Sequence, residues 1–343
     1  MNIVIRTDAS RLIGSGHVMR CLTLAQQLEK QGATVTFICS RLRGHLIETI
    51  KARGFRCESI TPTYHWLEDA RATKALLRNE TIDWIIIDHY SIDTKWEREV
   101  RPFTKKIMVI DDLANREHDC DLLLDYQIDS SHHYEYESLI PQDAIKLLGT
   151  KFLLLRPEFY EARKQSKVRK GALHLLVSMG GTDPTGETLK VLQAVDQVKQ
   201  SIDVDVVIGH NHPQQKQIEA WCDQYMNATC HIAIHYMADL MQAADFAIGA
   251  GGTSTYERAF LGLPAIVIET ASNQTGVIQG AESLGIIQSL GASKMVTIST
   301  IAQAIENFIQ NPESLHRMSE NAFSLFPEKN HLEDITKWIL GGD

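Results

Sequence analysis

A chain of 343 residues exceeds the size at which one hydrophobic core keeps growing, so two domains of about 150 residues each are expected. With 44% hydrophobic and 22% charged residues the composition excludes a disordered or fibrous chain. The net charge is −9 and the 34 Lys and Arg are spread along the sequence, which leaves no basic stripe for a phosphate backbone and excludes nucleic acid as a partner.

The chain opens on Asn2-Ile3-Val4-Ile5-Arg6 rather than on a basic, apolar leader, and no apolar run approaches the ~20 residues of a membrane span. The six cysteines form no Cys-x-x-Cys pair and mostly sit in apolar runs, as reduced packing thiols do. The expectation is a cytoplasmic protein, with a monomer as the default.

Short β-branched runs alternate with longer amphipathic stretches, the pattern of parallel strands joined by crossover helices. In the first half strands are expected at 3–6, 34–38, 84–88, 106–110 and 121–125, with helices near 17–31, 42–53, 66–79 and 94–102. Between the first strand and first helix lies Asp8-Ala9-Ser10-Arg11-Leu12-Ile13-Gly14-Ser15-Gly16-His17-Val18-Met19-Arg20. In an open α/β sheet this turn faces the ligand crevice. Gly14 and Gly16 permit close backbone approach, and free N–H groups at a helix start suit oxygen-rich ligands. Met19 stands where a dinucleotide fingerprint needs its third glycine, which disfavours NAD.

His17 falls at the helix start, where the dipole favours a neutral ring that can act as a general base; the alternative is a histidine that caps or packs. Arg20, one turn on, either orients Asp8 or a substrate oxygen or is a surface arginine. Asp88-His89-Tyr90 and Asp111-Asp112 end strands and so border the same crevice. No His/Cys/Asp cluster has metal-ligand spacing, and catalysis is expected without metal or cofactor.

A helical then charged stretch, 156–171, reads as the connection between domains, after which the pattern starts again. Strands are expected at 173–178, 205–208, 229–232, 246–249, 264–268 and 286–289, with helices near 186–200, 213–226, 236–244, 254–262 and 276–284. Gly180, Gly181 and Thr182 follow the first of these strands in a loop able to hold a diphosphate, although any tight turn can use a Gly-Gly pair. Gly251-Gly252-Thr253-Ser254 opens the helix that carries Glu257, a carboxylate placed either for ribose hydroxyls or for the helix dipole. Asn273 and Gln274 end the next strand and either meet sugar groups or cap the following helix. The tail, 299–340, reads as successive helices whose last member packs back across the domain junction.

Two resemblances emerge from these motifs. The Gly180-Gly181 loop, the Gly251–Glu257 segment and Leu263-Pro264 resemble the UDP-binding half of GT-B enzymes of the MurG type. More closely, Asp8 to Arg20, Ile87-Asp88-His89-Tyr90, Asp111-Asp112, Cys120 to Leu124, Arg156 to Tyr160, Met179 to Asp183 and Asn273-Gln274 resemble, in order, the PseG-type UDP-sugar hydrolases of pseudaminic acid biosynthesis. The resemblance implies a GT-B fold, two doubly wound Rossmann-like domains facing a central cleft. The boundaries are 1–155, a connection 156–171, a UDP-binding domain 172–326 and a final helix 327–343.

What it implies chemically is hydrolysis of UDP-2,4-diacetamido-2,4,6-trideoxy-β-L-altropyranose with inversion, releasing UDP. His17 matches the proposed base and Asn273 a sugar-site residue. Asp8, Gly14, Gly16, Arg20, Tyr90, Gly180, Gly181, Thr182, Gly252, Thr253, Glu257 and Gln274 are the further substrate-binding candidates. Backbone donors near Gly180, Gly181, Gly252 and Thr253 would stabilise charge on the departing UDP, each lost donor costing ~3 kcal/mol. Two rivals stand beside this reading: a GT-B glycosyltransferase with an acceptor hydroxyl in place of water, and a nucleotide-sugar binding module without chemistry.

Overall fold

The computed structural model describes the chain except for residues 11, 64, 79–80, 129–132, 172, 182, 211, 327–330 and 342–343. It divides into two compact units, Met1–Arg156 with Lys329–Asp343, and Pro157–Glu328.

The first unit is built on seven parallel strands: β1 (Asn2–Thr7), β2 (Thr34–Ser40), β3 (Arg56–Ile60), β4 (Ile82–Asp88), β5 (Thr104–Ile110), β6 (Leu122–Asp125) and β7 (Ile145–Leu148). Their order is β3-β2-β1-β4-β5-β6-β7. The central strands read as unbroken apolar runs because crossover helices cover both faces, and Ile85, Ile86 and Ile87 are buried. The chain reverses its winding between β1 and β4, where Thr7 pairs with Asp88. Such a switch point opens a crevice at the strands' carboxyl ends.

The helix Gly16–Lys30 starts there, after Gly14 has taken a φ of 84°. Its buried stripe, Val18, Cys21, Leu22, Ala25 and Leu28, follows helical spacing and docks on the sheet. The last helix, Leu332–Leu340, also belongs to this unit. Trp84 Nε1 donates to the Ile339 carbonyl at 2.7 Å, and Gln31 Nε2 to Thr336 Oγ1 at 2.9 Å.

The second unit repeats the plan with six parallel strands: β8 (His174–Ser178), β9 (Asp203–Ile208), β10 (Ala228–Ile232), β11 (Phe246–Ala250), β12 (Ala265–Glu269) and β13 (Ile287–Ala292). The order β10-β9-β8-β11-β12-β13 puts its switch point between β8 and β11. Its core gathers Leu175, Val177, Val206, Ile248, Ile266, Ile301 and Phe308. The stretch 156–171, expected as a connection, carries the helix Pro157–Gln165, whose Phe159 is fully buried and whose Arg163 Nη2 donates to the Phe323 carbonyl at 2.9 Å.

Two strands and the short helix Tyr136–Leu139 went unanticipated. β3 presents Arg56, Glu58 and Ser59 among its five residues, and β7 is four residues long at the sheet edge, so neither reads as a β-branched run. The helix expected from 42 begins only at Ile47.

Candidate active site

In the first unit the carboxyl end of β4 delivers Asp88, fully buried, to the start of the helix Gly16–Lys30. His17 and Arg20, three residues apart and therefore on one helix face, both reach it. His17 Nδ1 lies 2.5 Å from Asp88 Oδ1. Arg20 grips the same carboxylate with two prongs, Nε to Oδ2 and Nη2 to Oδ1, each at 2.6 Å. Burial works against a charged Asp88, yet the guanidinium of Arg20 and the ring of His17 hold its carboxyl well below the usual range. Nδ1 of His17 also lies 3.1 Å from Arg20 Nη2, but the contact to Asp88 is much the shorter and an ionised carboxylate only accepts, so in the neutral ring the proton sits on Nδ1 and Nε2 keeps its lone pair.

Arg20 extends the network. Its Nη1 donates to Tyr126 Oη at 2.8 Å and to Asp112 Oδ2 at 3.2 Å. Tyr90 Oη donates to the same Asp112 oxygen at 3.4 Å, and the Tyr90 ring meets His17 edge-on at 4.5 Å between centroids. Burial and the neighbouring Asp112 push the Tyr90 hydroxyl up, so it remains a donor. His17 is thus fixed by a carboxylate on one side and an aromatic ring on another, and is 7% exposed.

Two expectations need correcting. Arg20 is a buried partner of Asp88, neither a surface residue nor an orienter of Asp8. Asp8 is 3% exposed, and both its oxygens are engaged: Oδ1 by Arg6 Nη1 at 2.6 Å and the Ser40 amide at 2.7 Å, Oδ2 by Arg6 Nη2 at 3.0 Å and His89 Nε2 at 3.2 Å. Arg6 also binds Asp69 at 2.6 Å. Burial opposes charge on Asp8, but His89 and Arg6 hold it well below the ordinary range. Asp8 therefore ties strand ends together and has no oxygen left for a ligand. Gly14 lies in the loop before the helix and Gly16 is the first residue of the helix; a Cβ on Gly14 would meet open space.

In the second unit Gly180 and Gly181 follow β8 and are exposed, with φ 84° at Gly180. Two amides at the start of the helix Glu187–Val195 are already used: Asp183 accepts from Glu187 at 3.0 Å and from Thr188 at 2.7 Å. Thr182 lies outside the described residues.

After β11, Gly251 turns its amide to Gln274 Oε1 at 3.3 Å, and a Cβ there would strike Ile278 at 2.4 Å. Gly252, in contrast, faces open space and Thr253 is exposed. Glu257 is half-buried in the helix Ser254–Phe260. Gln274 also accepts from the Thr270 amide at 3.0 Å, so its side chain is a brace between two loops rather than a free sugar ligand. Asn273 beside it is exposed.

Asp88 as the partner of His17 and Arg20 was the main residue that sequence reasoning failed to connect. A signal was available: two basic groups on the buried face of one helix require a carboxylate, and the adjacent strand end supplies one.

Two doubly wound parallel-sheet units of this order make a GT-B fold. The solved structure of MurG from Acinetobacter baumannii shares it, with a TM-score of 0.67 at 15% identity, covering 99% of each chain. A model of the glycosyltransferase family 28 C-terminal domain matches residues 176–337. An uncharacterized protein of Methanocaldococcus jannaschii is 26% identical over 279 residues, 78% of this chain and 55% of its own length. The UDP-2,4-diacetamido-2,4,6-trideoxy-β-L-altropyranose hydrolase of Campylobacter jejuni is 28% identical over 246 residues, 71% of this chain and 83% of its own. The chain thus spans about half the length of the archaeal relative and most of the bacterial one.

Proposed function

We propose that this protein is an enzyme acting on nucleotide sugars, and specifically that it hydrolyses UDP-2,4-diacetamido-2,4,6-trideoxy-β-L-altropyranose to UDP and the free sugar with inversion. The observation that carries the reading is the 2.5 Å bond between His17 Nδ1 and the buried, Arg20-clamped Asp88. That arrangement leaves Nε2 as a base of fixed tautomer and direction. The activity for which the Campylobacter jejuni relative is named supports the choice of substrate.

In this mechanism Nε2 takes a proton from water as the water oxygen bonds to the anomeric carbon. The bond from that carbon to the diphosphate oxygen breaks on the opposite face, and its electron pair leaves with UDP. Attack and departure on opposite faces invert the centre. Asp88 stabilises the imidazolium that forms, and Tyr90 and Arg20 keep the ring in place. The Gly180-Gly181 and Gly252-Thr253 backbones hold the diphosphate, Glu257 the ribose, and Asn273 the sugar. The nucleotide-holding role falls to the second unit and the water-activating role to the first.

A second reading, glycosyl transfer to an acceptor hydroxyl, is favoured by the match of residues 176–337 to a glycosyltransferase domain. The two separate by experiment. UDP release from the UDP-sugar is followed without any acceptor, in the native protein, His17→Ala and Asp88→Asn. The hydrolase reading expects release by the native chain, with a drop of ~10²-fold or more in either variant at unchanged UDP affinity. Release that appears only once an acceptor is added contradicts it.

A further inference from the structure

The helix Ser254–Phe260 contains a buried arginine that the mechanism above does not use. Arg258 is 2% exposed, and its guanidinium lies against the turn that leads from β11 into this helix. Nη2 donates to the Ala250 carbonyl at 2.9 Å and to Thr255 Oγ1 at 3.1 Å, and Nη1 to Ser254 Oγ at 3.2 Å. A Cβ on Gly249 would stand 2.6 Å from Nη1, so the glycine at that position makes room for the guanidinium.

The charge balance around this side chain is unlike that of the buried arginines in the first unit. Arg6 is answered by Asp8 and Asp69, and Arg20 by Asp88 and Asp112. Among the described residues no carboxylate lies within ion-pair distance of Arg258; its partners are one carbonyl and two hydroxyls, and its Nε is buried without a partner. Burial pulls its pKa down to about 10, with Glu257 only partly opposing. A desolvated cation without a counter-charge is unfavourable until an anion comes near.

We propose that Arg258 is a positioning residue for the nucleotide's diphosphate, shaping the Ala250–Thr255 turn through its hydrogen bonds while its positive charge awaits the phosphate oxygens as counter-charge. The proposal rests on the reading of this turn as the nucleotide site. The low dielectric around the guanidinium extends its field to the turn's surface, where Gly252 and Thr253 present their backbone. Because free UDP carries more negative charge than its sugar ester, the same field favours departure of the leaving group.

The test is calorimetric titration of the full chain with UDP and with uridine, for the native protein, Arg258→Met and Arg258→Lys, alongside thermal melting without ligand. The methionine variant is expected to melt at or above the native temperature, because a buried unpaired charge is gone. It should lose ~10-fold or more in UDP affinity while uridine affinity stays within ~2-fold. The lysine variant, which keeps charge but not the fork, should retain most of the preference for UDP over uridine. Equal losses for UDP and uridine in the methionine variant, or no loss for UDP, overturn the proposal. If the methionine variant does not fold, the lysine variant decides: a preserved preference supports the charge role and a collapsed one overturns it. A native protein that binds neither compound defeats the nucleotide reading itself, and the proposal with it.

Discussion

Asp88 illustrates how one buried side chain organises a site. Its carboxylate is shared by a histidine and an arginine from a single helix face, and removing it would take the carboxylate from His17 and leave Arg20 with Asp112 alone. The ionisable groups held in this way make stability depend on pH in opposite directions. Asp8 and Asp88 have folded pKa values below their unfolded ones, so their contribution is present above about pH 4 and is lost as the pH falls. His174 is raised by its 2.7 Å bond to Asp205, so its contribution is full below about pH 6.5 and is lost as the pH rises through the elevated folded value. Urea unfolding across this range should show stability falling on acidification, and a shallower loss on the alkaline side that vanishes in Asp205→Asn. An alkaline slope identical in that variant would contradict the assignment.

At the level of elements, the helix Leu332–Leu340 is the piece most removed in sequence from the sheet it completes. Leu332, Ile335 and Ile339 are buried at 3%, 0% and 1% exposure, which makes the helix part of the first unit's core. Ile335→Ala should therefore destabilise that unit by about 2–5 kcal/mol, read as a lower midpoint of the transition followed by Trp84 fluorescence. A midpoint unchanged from native would mean that the helix is not part of that cooperative core.

Much of the element order could be read from the chain, because buried parallel strands such as β4 and β11 are short apolar runs bounded by polar turns. β3 and β7 escaped for a physical reason: edge strands are half-exposed, so Arg56, Glu58 and Lys146 interrupt the apolar signal. The glycine-rich turns and His17 were legible because their chemistry is local. The links from His17 to Asp88, 71 residues away, and from Arg6 to Asp69, 63 residues away, were not, since only the sheet order brings those positions together. Arg258 was hidden likewise, its burial being a property of packing rather than of its neighbours in sequence.

Across the whole molecule, the two units repeat one topology with different chemistry at their switch points. The first gathers His17, Asp88, Arg20, Tyr90 and Asp112 into a charged, hydrogen-bonded network; the second offers glycine backbone over an arginine. Among the described residues no helix is long and apolar enough to cross a membrane. Under the proposed function, nucleotide binding belongs to one switch point and bond breaking to the other.

The most direct test of that account is time-resolved proton NMR of the native protein with UDP-2,4-diacetamido-2,4,6-trideoxy-β-L-altropyranose, in buffer containing EDTA and no acceptor. Hydrolysis with inversion predicts loss of the UDP-sugar anomeric signal and first appearance of the free sugar in the inverted configuration, before mutarotation mixes the anomers. Substrate that remains intact, or a free sugar that first appears with its configuration retained, would contradict it.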